Sequence, residues 1–186
     1  MADKAPTYRS ILKNFEARSE HVKGYFCDLS NLLRDGYGYE IILAYLFLKV
    51  EQAQNRALYG GVVKVHRGQA VFCKKIINQQ HLTRDGFKNL YKNVFGHNVN
   101  KGTSEKIETA EKIRDKIIHG KTIPAKEQRT AIIDVLDYAE ALNEDIYGIA
   151  GFKPFGSMQG FKGRADSLDT RTTKWVMRGL GFGVRA

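Results

Sequence analysis

The chain has 186 residues, of which 42% are hydrophobic and 27% are charged, so it indicates a globular fold and excludes two ordinary domains. Its net charge of +10 and its pI of about 9.6 favour a polyanionic partner such as nucleic acid. A basic surface that only keeps the chain in solution is the alternative.

Two long helices are predicted in the first third of the chain. The first begins after Thr7 as N-cap and continues at helical spacing to Leu33, close to Gly36. The second extends from about Tyr39 to Leu58 and ends or kinks at Gly60 and Gly61. Its run from Ile41 to Leu48 is apolar on most faces, which is typical of a buried central helix. The run is shorter than the roughly 20 residues of a membrane span, so no membrane partner is expected.

In the middle of the chain, the hydrophobic periodicity and the cap residues predict three further helices. Residues 62 to 80 are ambiguous, because the valines at their start fit a strand and the residues after Ala70 fit a helix. Thr83 is the expected N-cap of the next helix, and Gly96 its left-handed C-terminal cap. A helix from Ser104 to about His119 ends at Gly120, and Pro124 opens the last helix of the bundle. The core stripe of that last helix is Ile132, Val135, Leu136, Ala139, Leu142 and Ile146.

No strand pair and no internal repeat is visible, so the predicted fold class is an all-α helical bundle over residues 1–147. Residues 148–186 form a tail with eight glycines, and seven Lys or Arg against two Asp. Its aromatic residues suit either nucleic-acid stacking or anchoring of the tail onto the bundle. One short helix is expected from Asp169 to Arg178, closed by Gly179. It would dock through Thr172, Trp175 and Val176.

Neither a metal nor a cofactor is predicted. Cys27 and Cys73 form no motif, and the polar start of the chain does not resemble a signal peptide, so both are interpreted as reduced thiols of a cytoplasmic protein. No Walker-type or dinucleotide glycine pattern occurs. Four histidines lack metal-ligand spacing with each other and with the cysteines: His21, His66, His81 and His97.

Arg114 and His119, near the end of the predicted helix from Ser104 to about His119, form the most chemically specific pattern. Imidazole titrates near neutrality and can move a proton on and off a ribose hydroxyl. Guanidinium stays charged and matches the oxygens of a phosphate in the transition state. The intervening Asp115 lies one turn before His119 and would orient the imidazole. Three nearby lysines would add phosphate contacts: Lys112, Lys116 and Lys121.

On a helical wheel, Arg114 lies within the apolar arc, whereas His119 lies on the polar face, about 140° away. An arginine in an apolar stripe is costly unless an anionic group meets it. The alternatives are a buried ion pair with Asp134 or Glu40, or an arginine that reaches past the core edge. Convergence of the two side chains on one phosphate requires either an unwound last turn at Gly120 or two copies of the helix across a two-fold axis.

With Arg114, the polar Asp115 and His119, the chain resembles the HEPN (higher eukaryote and prokaryote nucleotide-binding) domain proteins. In this family of helical bundles, an arginine, a polar residue and a histidine four to six positions after the arginine stand near the end of a late core helix. The resemblance covers roughly residues 7–147. Many members are metal-independent endoribonucleases that act as dimers, often as toxins or antiviral effectors in bacteria. Other members have lost catalysis and bind nucleotide or protein.

The resemblance implies a metal-independent ribonuclease in which Arg114 and His119 are catalytic, and in which the site is shared by a homodimer. RNA is the expected substrate, and a toxin role would add an antitoxin or another regulatory protein as partner. The alternative function is a non-catalytic helical module that binds RNA or a protein.

Overall fold

The computed structural model describes residues 7–184, and within this range it is all-helical, without a β-strand. This confirms the predicted all-α class. None of the helices in this range combines the length and the apolarity that crossing a bilayer requires. The helices of the described part are α1 (Tyr8–Glu16), α2 (Glu20–Tyr25), α3 (Leu29–Arg34), α4 (Tyr39–Lys64), α5 (Ala70–Ile77), α6 (Arg84–Phe95), α7 (Lys101–Ile118), α8 (Ala125–Ala150) and α9 (Thr170–Gly179).

The N-terminal segment is three short helices, so the prediction of one helix from Thr7 to Leu33 is wrong. Thr7 is the N-cap of α1, as predicted, and forms a capping box with Ser10. The continuation breaks at Ser19, whose N–H and hydroxyl both donate to the Glu140 carboxylate, at 2.7 and 2.9 Å. Because this N–H is taken by a side chain, the helix ends and Ser19 caps α2 instead.

Helix α4 continues through Gly60 and Gly61, so of the two predicted effects of these glycines, an end or a kink, the end is wrong. A Cβ atom at Gly60 would overlap the Phe152 ring, and one at Gly61 would overlap Val94 and Phe95. The glycines therefore serve the close approach of neighbouring side chains to the helix, and the tertiary contacts outweigh their low helix propensity.

Contacts divide the chain into two compact units. Among the described residues, the first contains residues 7–50, Asn100–Asn143 and Phe155–Ser157. The second contains Glu51–Val99, Glu144–Pro154 and residues 158–184. The boundary lies within α4 and within α8. The sequence-based separation of a 1–147 domain from a 148–186 tail stays a prediction.

In the first unit, the fully buried Asn143 of α8 holds the backbone of Phe155. Its Nδ2 donates to the Phe155 carbonyl at 2.9 Å, and its Oδ1 accepts the Phe155 N–H at 2.8 Å. The Phe155 ring contacts Tyr25, Phe26 and Tyr138, with centroids 5.4–5.9 Å apart. This pair of hydrogen bonds returns the chain to the core of the first unit after α8.

The predicted stripe of α8 is confirmed, since all six of its residues are buried. Of the tail aromatics, three are also buried, which favours anchoring over nucleic-acid stacking at those positions: Phe152, Phe155 and Phe182.

Helix α9 begins at its predicted N-cap, Asp169, but its predicted docking face is wrong. Thr172 is exposed, and both its N–H and its hydroxyl donate to the Asp169 carboxylate. Trp175 is 63% exposed. The buried residues of the helix are Thr173 and Met177, and the Thr173 hydroxyl accepts the Gln69 N–H at 3.0 Å.

Substitution Gly60→Ala is expected to lower the free energy of unfolding by about 1–3 kcal/mol, because the new methyl group must displace the Phe152 ring. The matched control is Gly148→Ala in α8, where a Cβ atom meets nothing within 4 Å, and which we expect to stabilise the protein by up to about 1 kcal/mol. Urea denaturation checks both values. Equal effects of the two substitutions would contradict the close-packing role of Gly60.

Candidate functional site

Helix α7 carries the predicted motif and ends in a defined cap. It begins at Lys101, three residues before the predicted start, because the Asn100 side chain accepts the Gly102 N–H at 2.9 Å. At its other end, Gly120 adopts a φ of +72°, its N–H bonds the Ile117 carbonyl, and the Lys121 N–H bonds the Lys116 carbonyl. These two bonds form a Schellman motif, so the predicted stop at Gly120 is confirmed.

The Arg114 guanidinium lies at the edge of the core of the first unit. Its carbon is 4.7 Å from the centroid of the Phe47 ring in α4, and the side chain is 25% exposed. Its Nε and Nη2 atoms donate to Asp115 Oδ1 at 3.1 and 2.8 Å. The apolar environment predicted for Arg114 is thus an aromatic face, and a carboxylate on the same helix holds the guanidinium against that face.

Phe47 is the site residue that the sequence analysis missed. The position of Arg114 in an apolar arc indicated an anionic partner or a side chain that reaches past the core edge, and an aromatic ring also attracts a guanidinium. No short-range spacing connects Phe47 to Arg114, since the two residues lie on helices far apart in the sequence.

The Asp115 carboxylate accepts hydrogen bonds from Arg114. The sequence analysis predicted instead that this carboxylate orients the His119 imidazole. The described contact with His119 is through the backbone, where the His119 N–H bonds the Asp115 carbonyl at 3.0 Å. Orientation of the imidazole by Asp115 stays a prediction. The structure supports a role for this carboxylate in positioning the arginine.

His119 is the C-cap of α7 and is exposed, and its ring makes no hydrogen bond with the described residues. Lys112 and Lys116 of α7 are exposed as well, and so is Lys121 directly after the cap. One copy of the first unit therefore combines an arginine stacked at the core edge with an exposed imidazole, and adds three exposed cations around the end of the helix. This arrangement suits a phosphate ligand.

Among the described residues of the first unit, three large aliphatic side chains are more than half exposed. Ile41 and Leu48, seven residues apart on α4, are 53% and 55% exposed, and Ile118 of α7 is 69% exposed. The predicted burial of the Ile41–Leu48 run therefore holds for most of its large apolar residues but is wrong for Ile41 and Leu48. Leu48 follows Phe47 in the sequence, and Ile118 lies one turn after Arg114, so exposed apolar groups neighbour both partners of the cation–π contact.

Within residues 7–184, no group of three or more His, Cys, Asp or Glu side chains is placed to hold a metal ion. Both cysteines are free thiols. Cys27 is exposed, whereas burial raises the pKa of Cys73 to about 11.

Comparison of the chain with protein-family models, with curated proteins and with solved structures found no significant match. The functional conclusion therefore depends on the side chains that α7 and α4 bring together.

If the Arg114–Asp115 pair serves function more than folding, its removal costs little stability. We expect Asp115→Asn to lower the free energy of unfolding by less than about 1 kcal/mol, because Asp115 is 46% exposed. Arg114→Gln also loses the ring contact and is expected to cost about 1–2 kcal/mol. Phe47→Ala, which removes a ring that is 3% exposed, should cost about 3–5 kcal/mol. Urea denaturation of the three variants checks this order. An equal loss in Arg114→Gln and Phe47→Ala would mean that the arginine is primarily structural.

Proposed function

We propose that this protein is a cytoplasmic, metal-independent endoribonuclease of the HEPN type, acting as a toxin or in defence against phage. The observation that supports it is the combination, on one helix, of the stacked and carboxylate-held Arg114 with the exposed His119 at the helix end. Arginine and histidine together supply the charge stabilisation and proton transfer that RNA cleavage by an internal nucleophile requires.

In the proposed mechanism, His119 takes the proton of a ribose 2′-hydroxyl, whose oxygen attacks the adjacent phosphorus in line. Arg114 binds the phosphate and stabilises the additional negative charge of the pentacoordinate transition state. As the bond from phosphorus to the 5′-oxygen breaks, that oxygen takes a proton from a second imidazole, His119 of the partner subunit. The products are a 2′,3′-cyclic phosphate, or its 3′-phosphate hydrolysis product, and a 5′-hydroxyl.

In this mechanism Asp115 is a positioning residue. Its Oδ1 atom receives two N–H groups of Arg114, and this fixes the plane of the guanidinium over Phe47 before substrate arrives. A preoriented guanidinium loses less side-chain entropy when it binds phosphate. The exposed lysines of the region, Lys112, Lys116 and Lys121, add binding energy for the RNA backbone.

A homodimer completes the proposed site. On an ideal helix Arg114 and His119 point about 140° apart, so in this proposal a second copy supplies the second imidazole across a two-fold axis. The exposed Ile41, Leu48 and Ile118 give the first unit an apolar surface for this contact. An antitoxin or another regulatory protein is the further partner that a toxin role implies.

The alternative is a non-catalytic module that binds RNA or a protein. The contacts of Arg114 with Phe47 and Asp115 support this alternative, because they give the arginine a structural role that requires no catalysis. Activity measurements separate the two functions.

Purified protein is expected to cleave single-stranded RNA in EDTA and to leave DNA of the same sequence intact, since DNA lacks the attacking hydroxyl. Substitutions His119→Ala and Arg114→Ala should each lower the rate at least about 100-fold. His21→Ala, which changes an exposed histidine of the same unit, should leave the rate unchanged. Gel assays give the rates, and mass spectrometry of the fragments identifies the cyclic phosphate. Equal rates for the wild type and His119→Ala, cleavage of DNA, or loss of activity in EDTA would refute the mechanism.

Light scattering after size-exclusion chromatography tests the shared site. We expect a dimer for the wild type. Leu48→Glu or Ile118→Glu should raise the dissociation constant of the dimer at least about tenfold, because each places a charge on the apolar surface. Val71→Glu is the matched control, since Val71 is 75% exposed but belongs to the second unit. A wild type that is monomeric at micromolar concentration would remove the shared-site argument.

A further inference from the structure

The second unit contains an open pocket of about 480 Å³, a size typical of small-molecule sites. One face of α4 supplies Asn55, Arg56 and Tyr59, at helical spacing. The end of α5 supplies Lys74 and Asn78, and the segment after α8 supplies Phe161. Among the described residues that line the pocket there is no carboxylate. The lining therefore combines aromatic rings, amides and cations.

The aromatic wall of the pocket has a fixed geometry. The ring centroids of Tyr59 and Phe161 are 5.6 Å apart. Phe161 is also held by the Phe152 ring at 5.5 Å and by the Lys64 ammonium, 4.9 Å from its centroid. Burial, and to a lesser degree the nearby Cys73, raise the pKa of Tyr59. Its hydroxyl, like that of any tyrosine at neutral pH, can donate a hydrogen bond. Such a wall suits a planar, heteroaromatic ligand that can also accept a hydrogen bond.

The side-chain amides of the pocket can form hydrogen bonds with the edge of a planar ligand. Asn55 Oδ1 is buried and has no hydrogen-bond partner among the described residues. A buried acceptor without a donor is unfavourable, and a ligand N–H would satisfy it if the Asn55 side chain turned toward the pocket. Asn78 lines the same pocket, and Asn side chains pair with the donor and acceptor edges of nucleobases.

Two cations, Arg56 and Lys74, complete the pocket. With no carboxylate in the described lining, these two cations would attract an anionic group on a ligand. A phosphate is the anion that occurs together with a planar base that carries N–H donors. The cations, the aromatic rings and the amides of the lining therefore fit a ligand that carries both a planar base and a phosphate.

We propose that this pocket of the second unit binds a nucleotide, with the base against Phe161 and Tyr59, the base edge at Asn55, and the phosphate at Arg56 and Lys74. The nucleotide is either a free mononucleotide or one residue of a single-stranded RNA, and these sources share the same chemistry. The pocket contains no residue of the Arg114–His119 motif, so the proposal stands independently of the ribonuclease function.

Isothermal titration calorimetry of the full chain tests this proposal with the 5′-monophosphates of the four ribonucleosides. Adenosine, ribose 5-phosphate and inorganic phosphate serve as partial ligands. A single-stranded 2′-O-methyl tetranucleotide represents the RNA source, because it lacks the hydroxyl that the proposed ribonuclease needs and therefore cannot be cleaved by it. We expect at least one monophosphate or the tetranucleotide to bind with a Kd below about 1 mM, and more tightly than any partial ligand.

Variants assign the binding to the pocket. Phe161→Leu is expected to weaken binding about tenfold through loss of stacking, and Lys74→Gln about three- to tenfold through loss of the phosphate contact. Lys75→Gln is the matched control, since this exposed neighbour does not line the pocket. Asn55→Ala should also weaken binding, and it provides a second measurement if Phe161→Leu lowers the melting temperature of the protein.

The outcomes are separable. Tighter binding of the tetranucleotide supports an RNA strand as the source, and tighter binding of a monophosphate supports a free nucleotide. The proposal is refuted if no nucleotide binds, if inorganic phosphate or ribose 5-phosphate binds as tightly as the nucleotides, or if Lys74→Gln and Lys75→Gln have equal affinity. None of these results depends on RNA cleavage, so failure of the pocket and failure of the ribonuclease proposal are distinguished.

Discussion

The amide of Asn143 determines the path of the chain beyond α8, and the core of the first unit depends on it. Asn143 is fully buried, and it satisfies both the N–H and the carbonyl of Phe155, which would otherwise be buried without partners. The bonds bring the Phe155 ring into contact with Tyr25, Phe26 and Tyr138. The same unit contains α7 and Phe47, so the surface that supports Arg114 belongs to a core to which Phe155, from the segment after α8, contributes.

The arginine of the candidate site shows how a cation can be kept at the edge of an apolar core. A guanidinium is weakly hydrated compared with an ammonium, and its flat face can lie on an aromatic ring while its edge bonds a carboxylate. Arg114 uses both modes, with Phe47 below and Asp115 at its side. This arrangement holds the charge in a defined plane and keeps it accessible to a phosphate, since a quarter of the side chain remains exposed.

Helix α4 contributes to both candidate sites, and its composition changes accordingly along its length. Its first half provides Phe47 to the first unit, whereas its second half presents Asn55, Arg56 and Tyr59 to the pocket of the second unit. The helix continues through Gly60 and Gly61 because neighbouring side chains occupy the volume that a Cβ atom would need. Its length is therefore a consequence of packing in the second unit.

The sequence by itself determined the helical class, several of the helix ends and the candidate catalytic residues. These features follow from local chemistry: Thr7, Thr83 and Asp169 cap the helices that follow them, and Gly120 supplies the left-handed residue of the α7 cap. The six-residue stripe of α8 was predictable because a helix repeats every 3.6 residues. Arg114 and His119 stood out because few residue types can perform acid–base and phosphate chemistry.

Only the tertiary structure decided the features that depend on contacts between distant residues. The break at Ser19 requires Glu140, the continuation of α4 through its glycines requires Phe152, Val94 and Phe95, and the partner of Arg114 is Phe47. The predictions for the exposed side of α4 and for the buried face of α9 were wrong for the same reason. Periodicity shows which residues share a face of a helix, but it does not show which face packs against a neighbour. The pocket lined by Asn55, Lys74 and Phe161 carries no sequence signal, because its residues come from three separate segments that converge only in the folded chain.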